Sequence, residues 1–182
     1  MRKLIMWNLI TLDGCFEGEK QWDLDFHGLA WGDELEHFIS EQLKTIEMLV
    51  FGENTYEGMA KYWANETGEV ADYMNKLPKI VCSTTRTQAD WNNTIIVKDA
   101  VTEIARLKGE GEGNMFVFGS GNLSRSLMRA SLFDEYRLCI VPVFLGKGSR
   151  LFGEDVPYEK LKLIEDQQLT SGGVILRYSP AR

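Results

Sequence analysis

Histidine is almost missing from this 182-residue chain: only His27 and His37 occur. Cysteine is scarce as well. Cys15, Cys82 and Cys139 are odd in number, far apart and never spaced C-x-x-C, which argues against a closed disulfide framework. Cys82 and Cys139 sit inside apolar runs and read as small core residues. Cys15 has no basic partner near it in sequence, so cysteine catalysis finds no support. No apolar run approaches the ~18 residues of a bilayer span. The start, MRKLIMWNLITLDG, has a short apolar stretch that leads straight into a polar turn, a first strand rather than a signal peptide. A soluble, cytoplasmic protein is expected. Positive charge is in deficit: 20 Lys and Arg stand against 27 Asp and Glu, a net charge of −7, with a pI near 5.0. A basic face for nucleic acid is therefore not expected. Internal repeats and linker-like shifts of composition are absent, and an apolar fraction of 44% suits one ordinary globular domain over 1–182.

What the chain does have is a repeated strand–turn–helix pattern. Met115-Phe116-Val117-Phe118 is an apolar run fit for a strand buried on both faces. Gly119-Ser120-Gly121 breaks it, Leu123, Leu127 and Met128 recur at helical spacing, and Tyr136–Val143 is a second apolar run. This is a βαβ unit whose Gly-rich turn leaves bare N–H groups at a helix N-terminus, where anions are favoured. A phosphate-bearing cofactor is the first hypothesis. The turn alone is weak, because position 124 is Ser where a dinucleotide fingerprint would carry glycine.

Other elements follow the same rhythm. Lys3–Leu12 reads as a strand ended by Asp13-Gly14, and residues 15 to 32 as a long loop with Trp22, His27 and Trp31. Asp33 is expected to cap a helix reaching about Thr45, with Glu36 completing a capping box. Met48–Phe51 is a strand that meets a helix through Gly52-Glu53-Asn54-Thr55. Thr67–Asn75 is polar helix or loop. KIVCS over Lys79–Ser83 is a strand followed by Thr84-Thr85-Arg86. Thr94–Val97 is a short strand, and Asp99 caps a helix through about Leu107. Leu161–Leu169 and Val174–Tyr178 flank a turn and form a hairpin. Strands alternating with helices give α/β with a largely parallel sheet and an antiparallel C-terminal hairpin. In such a sheet the junctions at Gly52, Ser83 and Gly119 would line one edge, where a single long ligand can touch all of them.

The ordered set LITLDG, LVFGENTYEGMAKYW, KIVCSTT and FVFGSGNLSRSLMRASLFDEYRLCIVPVFLGKGSRLF resembles the dihydrofolate reductase-like family over nearly the whole chain. It is most similar to the branch of the reductase domain of riboflavin biosynthesis, the RibD C-terminal domain, and its stand-alone bacterial relatives. The resemblance implies a three-layer α/β/α fold, NADPH-dependent reduction of a small-molecule substrate and a homodimer, with the hairpin and Tyr136–Val143 as candidate dimer surfaces. It places Gly52, Asn54 and Thr55 at the cofactor phosphates, and Ser83, Thr84, Thr85 and Arg86 beside the adenosine 2′-phosphate. Gly119, Ser120, Gly121, Asn122 and Leu123 fall along the pyrophosphate and nicotinamide ribose. Relatives commonly carry Arg where this chain has Glu53, a carboxylate that would repel phosphate.

For the substrate, Asp33, Glu34 and Glu36 are the carboxylates that would meet a pterin edge, with catalytic roles assigned to Asp33 and Glu36; helix capping is their other reading. Cys139 near the position of a folate-enzyme threonine weakens a folate role, and Pro142 with Leu145-Gly146-Lys147-Gly148 looks more like the riboflavin-type branch, whose substrate is a 5-amino-6-(5-phosphoribosylamino)uracil. Lys147 and Arg150 would clamp its phosphate, or else lie in a solvated turn. Trp22 with Trp31 would cover the nicotinamide or anchor a surface loop, and Asp13 faces the same pocket. The alternative to an enzyme is a non-catalytic nucleotide- or flavin-binding homodimeric module.

Overall fold

The computed structural model describes residues 1–181. One sheet recruits strands from almost the entire chain. Its first strand, β1 (Lys3–Thr11), is buried at every position after Lys3, so helices must cover both its faces. Alternation sorts its side chains. Ile5, Trp7 and Leu9 enter one core with Phe51, Tyr56 and Phe116. Leu4, Met6 and Ile10 enter the opposite core with Val50, Val117 and Leu127.

The loop expected over residues 15–32 contains two short elements: β2 (Cys15–Glu17) and a 3-10 turn at Asp25–Leu29. Helix α1 (Asp33–Leu43) follows, then β3 (Ile46–Gly52), α2 (Glu53–Trp63), α3 (Glu69–Lys76), β4 (Lys79–Cys82) and β5 (Thr94–Val97). Next come α4 (Ala100–Gly109), β6 (Asn114–Phe118), α5 (Gly121–Arg129), β7 (Glu135–Val141), β8 (Ser149–Arg150), β9 (Leu161–Gln168) and β10 (Val174–Pro180). The sheet order is β5-β4-β3-β6-β1-β7-β10-β9. All neighbours pair parallel except β10, which is antiparallel to both β7 and β9. Helices α1, α2 and α3 supply the first core and α4 and α5 the second, which makes three layers. This is the dihydrofolate reductase-like three-layer α/β/α arrangement expected from the sequence.

Capping was read correctly at one helix and wrongly at another. Asp99 caps α4 by accepting from the Thr102 N–H. Asp33, in contrast, is the first helical residue of α1. The cap is Gly32, no side chain caps the helix, and the Glu36 N–H bonds the Gly32 carbonyl. The capping box is absent because Glu36 is engaged elsewhere: its carboxylate accepts from Trp31 Nε1 at 2.6 Å. Asp33 instead contributes negative charge to the first helical turn, where the helix dipole favours it. Strand β7 is also not free to form a dimer surface, being buried between β1 and β10. Edge strand β9 keeps Leu161, Leu163 and Ile164 exposed.

Candidate active site

The C-terminal ends of β3, β4 and β6 open onto a cavity of about 950 Å³. The N-termini of α2 and α5 both face it, because Gly52, Asn54, Thr55, Gly121, Asn122 and Leu123 line it. In α5 the first intrahelical bond is Ser124 N–H to Ser120 O, 2.8 Å, so the N–H groups of Gly121, Asn122 and Leu123 have no partner within the helix. No acidic residue occupies that first turn. Ser83, Thr84, Lys98 and Arg150 complete the rim.

Two junctions are tied together by their own side chains. Ser120 Oγ accepts the Gly52 N–H at 2.7 Å, and Thr55 Oγ1 accepts the Ser120 N–H at 3.0 Å. Gly119 and Ser120 both take left-handed backbone conformations, with φ 54° and 59°. A Cβ at Gly119 would stand 3.0 Å from Thr55 Oγ1, so glycine is needed there for space as well as for φ. The Gly119 N–H is held by Asn8 Oδ1 at 2.7 Å.

The third junction departs from the expected phosphate cradle. The Glu53 carboxylate accepts from Ser83 Oγ at 2.6 Å and Thr85 Oγ1 at 2.8 Å. Those hydroxyl donors, Ser83 first, hold its pKa below the ordinary glutamate value. Arg86 is surrounded by acids, 2.5 Å from Glu57, 3.6 Å from Asp90 and 3.7 Å from Glu53, and its guanidinium lies over the Tyr56 ring. Thr85 and Arg86 line neither large cavity.

A second cavity of about 820 Å³ adjoins the first, and Phe16, Glu17 and Thr55 line both. It lies on the α1–α3 side of the sheet, walled by Trp22, Trp31, Tyr62, Trp63 and Phe118. Trp22 adopts φ 64°, with its N–H on Glu17 Oε1 at 2.5 Å, and its indole packs so closely on α2 that a Cβ at Gly58 would be 2.1 Å from it. Glu36 lines this cavity and Asp33 does not. Lys147 is out at the surface, 3.5 Å from Glu19, and lines neither cavity. Asp13 is likewise outside both. It accepts from Thr11 Oγ1, the Leu145 N–H and the Gly146 N–H, and its pKa is lowered by these bonds, Thr11's above all, so it pins the end of β1 to the 144–148 loop.

Sequence reasoning passed over Asn8, Met59 and Trp63 and named His27 only as part of the 15–32 loop; all four line the second cavity. Asn8 had a signal: it is the single polar residue inside the run Leu4–Ile10. Trp63 had none, since an aromatic at helical spacing reads as core. Among the described residues no group of three or more His, Cys, Asp or Glu is placed to hold a metal, and no helix is long and apolar enough to cross a membrane.

Comparison with known proteins fits this geometry. The family model described as RibD C-terminal domain matches residues 2–175. The chain is 27% identical over 165 residues to the uncharacterized protein YwjB of Bacillus subtilis (strain 168), covering 89% of each. A protein of Shewanella sp. PV-4, described as a riboflavin biosynthesis candidate, superposes with a TM-score of 0.82 at 20% identity, covering 99% of both chains. Dihydrofolate reductase of Enterococcus faecalis, complexed with NADP(H), superposes with a TM-score of 0.67 at 16% identity, covering 99% of this chain and 97% of that one. At such identities the structural likeness shows the fold.

Proposed function

Because this chain belongs to the RibD C-terminal domain family, we propose that it is a cytoplasmic, homodimeric, NADPH-dependent reductase acting on a small heterocyclic substrate of the phosphoribosylaminouracil or pterin type. The observation that carries this reading is the pair of adjoining cavities. One is edged by the N-termini of two helices, the other is walled by aromatic rings, and they meet at Phe16, Glu17 and Thr55.

The first cavity fits a dinucleotide. Backbone donors of Gly121, Asn122 and Leu123, with those at the start of α2, would hold the pyrophosphate, since orphan N–H groups and helix dipoles both favour negative charge. Gly52 and Gly119 let the two junctions pack this closely, since a Cβ at Gly52 would stand 3.1 Å from Ser120 Oγ and one at Gly119 3.0 Å from Thr55 Oγ1. Reduced nicotinamide, when bound, supplies the hydride. At the adenosine end Glu53 occupies the hydroxyls of Ser83 and Thr85, so a 2′-phosphate would rely on the rim cations Lys98 and Arg150 and the margin for NADPH over NADH is small.

In the second cavity the rings stack on the substrate and exclude water, and Glu36, with one oxygen on Trp31 Nε1, presents a carboxylate to a substrate N–H. Exposed β9 is the surface that supports dimer formation. The test is direct. NADPH and NADH are titrated while tryptophan emission is followed, and loss of reduced-nicotinamide absorbance is then measured with dihydrofolate and with the ribosylaminouracil. Binding followed by turnover is expected. Failure to bind either dinucleotide overturns the reading, and binding without turnover across a heterocycle panel marks a non-catalytic module.

A further inference from the structure

The aromatic cavity has a charge pattern of one sign. Among the described residues that line it there is no lysine and no arginine, but Glu17, Asp25, Glu36, Glu66 and Glu69 all do. Arg137 reaches a lining residue, Gln42, yet its guanidinium is committed to Glu135 at 2.7 Å. Burial pushes His27 down to about 4, so this lining residue adds no positive charge at neutral pH. Lys147 and Arg150, expected to clamp a substrate phosphate, lie elsewhere, Arg150 on the dinucleotide side. A phosphate or carboxylate placed here would shed its hydration against fixed negative charge, at a cost that low-dielectric walls increase.

Two residues that line this cavity each carry a buried side-chain nitrogen with no partner, Asn8 Nδ2 and His27 Nε2. Asn8 is 6% exposed. Its orientation is fixed, because the Gly119 N–H must meet the amide oxygen. Nδ2 is therefore a donor, and a buried donor without an acceptor is costly. A ligand acceptor that reaches Nδ2 from the cavity would remove that cost.

We propose that the aromatic cavity takes a flat nitrogen heterocycle that carries neither phosphate nor carboxylate and sets a carbonyl or ring-nitrogen acceptor against Asn8 Nδ2. This deepens the reductase reading and rests on it for the fate of the ligand, but the binding preference stands on the cavity alone. Within the substrate class proposed above it favours the pterin and unphosphorylated pyrimidine members over the phosphoribosylaminouracil.

The test uses the full chain and paired probes: 6-methylpterin against folate, and 5-amino-6-ribitylaminouracil against its 5′-phosphate. Four of the five tryptophans, Trp7, Trp22, Trp31 and Trp63, line the cavity, so their emission reports binding and calorimetry confirms it. In each pair the uncharged member should bind at least tenfold more tightly. The rim variant Glu66→Lys combined with Glu69→Lys should narrow that ratio at least threefold. Asn8→Asp keeps the acceptor for Gly119 and loses the donor; it should weaken the uncharged probes at least fivefold, with thermal unfolding measured alongside. Equal or tighter binding of the charged members overturns the proposal, and so does the absence of binding by all of the probes at millimolar concentration. NADPH is titrated separately into the other cavity: if it binds while every probe fails, the substrate class is wrong and the reductase reading survives. If the probes bind as expected and neither dinucleotide does, the reverse holds.

Discussion

Glu53 sits 2.6 Å from Ser83 Oγ, so the residue that ends one strand–helix junction fills the hydroxyl cluster of the next. Under the function proposed above, the carboxylate takes hydroxyl donors that a cofactor phosphate would otherwise use. Neutralising it as glutamine removes the like charge, while the amide oxygen can still accept from both hydroxyls.

Glu53→Gln is accordingly expected to raise affinity for NADPH severalfold, up to about tenfold, while leaving NADH nearly unchanged. Dissociation constants for both dinucleotides, read by tryptophan quenching in wild type and variant, decide this. An unchanged NADPH-to-NADH ratio would mean that Glu53 plays no part in selectivity.

Trp22 and Gly58 occupy touching surfaces, and any Cβ at position 58 displaces the indole. In a free helix Gly→Ala would gain about 1 kcal/mol. Here Gly58→Ala is expected to gain little or lose stability, and to shift tryptophan emission to longer wavelength as Trp22 moves into water. An unchanged spectrum with a higher melting temperature would show that the indole does not rest on α2.

Glu135 is 5% exposed and receives Arg137 Nε at 2.7 Å and Arg177 Nε at 2.8 Å on one oxygen. Burial alone would raise its pKa, yet the two guanidiniums hold it below the usual value. Glu135→Ala leaves two cations beside a core that has lost their partner, and should cost about 3–5 kcal/mol. Chemical denaturation of the variant measures it. A loss under about 1 kcal/mol would show that water reaches the site.

His27 is held near pKa 4 by burial, against 6.5 for the free imidazole. Between those values the unfolded chain binds a proton that the native chain refuses, so stability rises with pH across this window and falls on acidification through it. The contribution approaches ~3 kcal/mol below pH 4. Melting curves from pH 7 to 4 should fall more steeply for wild type than for His27→Gln. Parallel curves would place His27 in contact with solvent.

Much of the fold was legible because burial on both faces leaves an unmistakable imprint. Strands such as Met115–Phe118 read as continuous apolar runs, and each is closed by Gly or hydroxyl residues. The convergence of Gly52, Ser83 and Gly121 followed from parallel topology alone. What stayed hidden depends on contacts distant in sequence. The pairing of β2 with β8 joins Cys15 to Arg150, and no local pattern announces so short a strand. Asp33 looked like a cap because aspartate often is one, yet Gly32 took that place and Trp31 drew Glu36 away. The aromatic cavity is assembled from α1, α2, α3 and the 15–32 segment, so its Trp63 and Met59 were indistinguishable from ordinary core.

The position of β1 has a consequence for synthesis. Its only sheet neighbours are β6 and β7, whose residues begin at Asn114 and end at Val141. Strand β1 is made well before either of these neighbours, so a largely apolar segment has no native sheet partner until β6 is complete. Such a delay slows folding and leaves an adhesive stretch exposed to neighbouring chains.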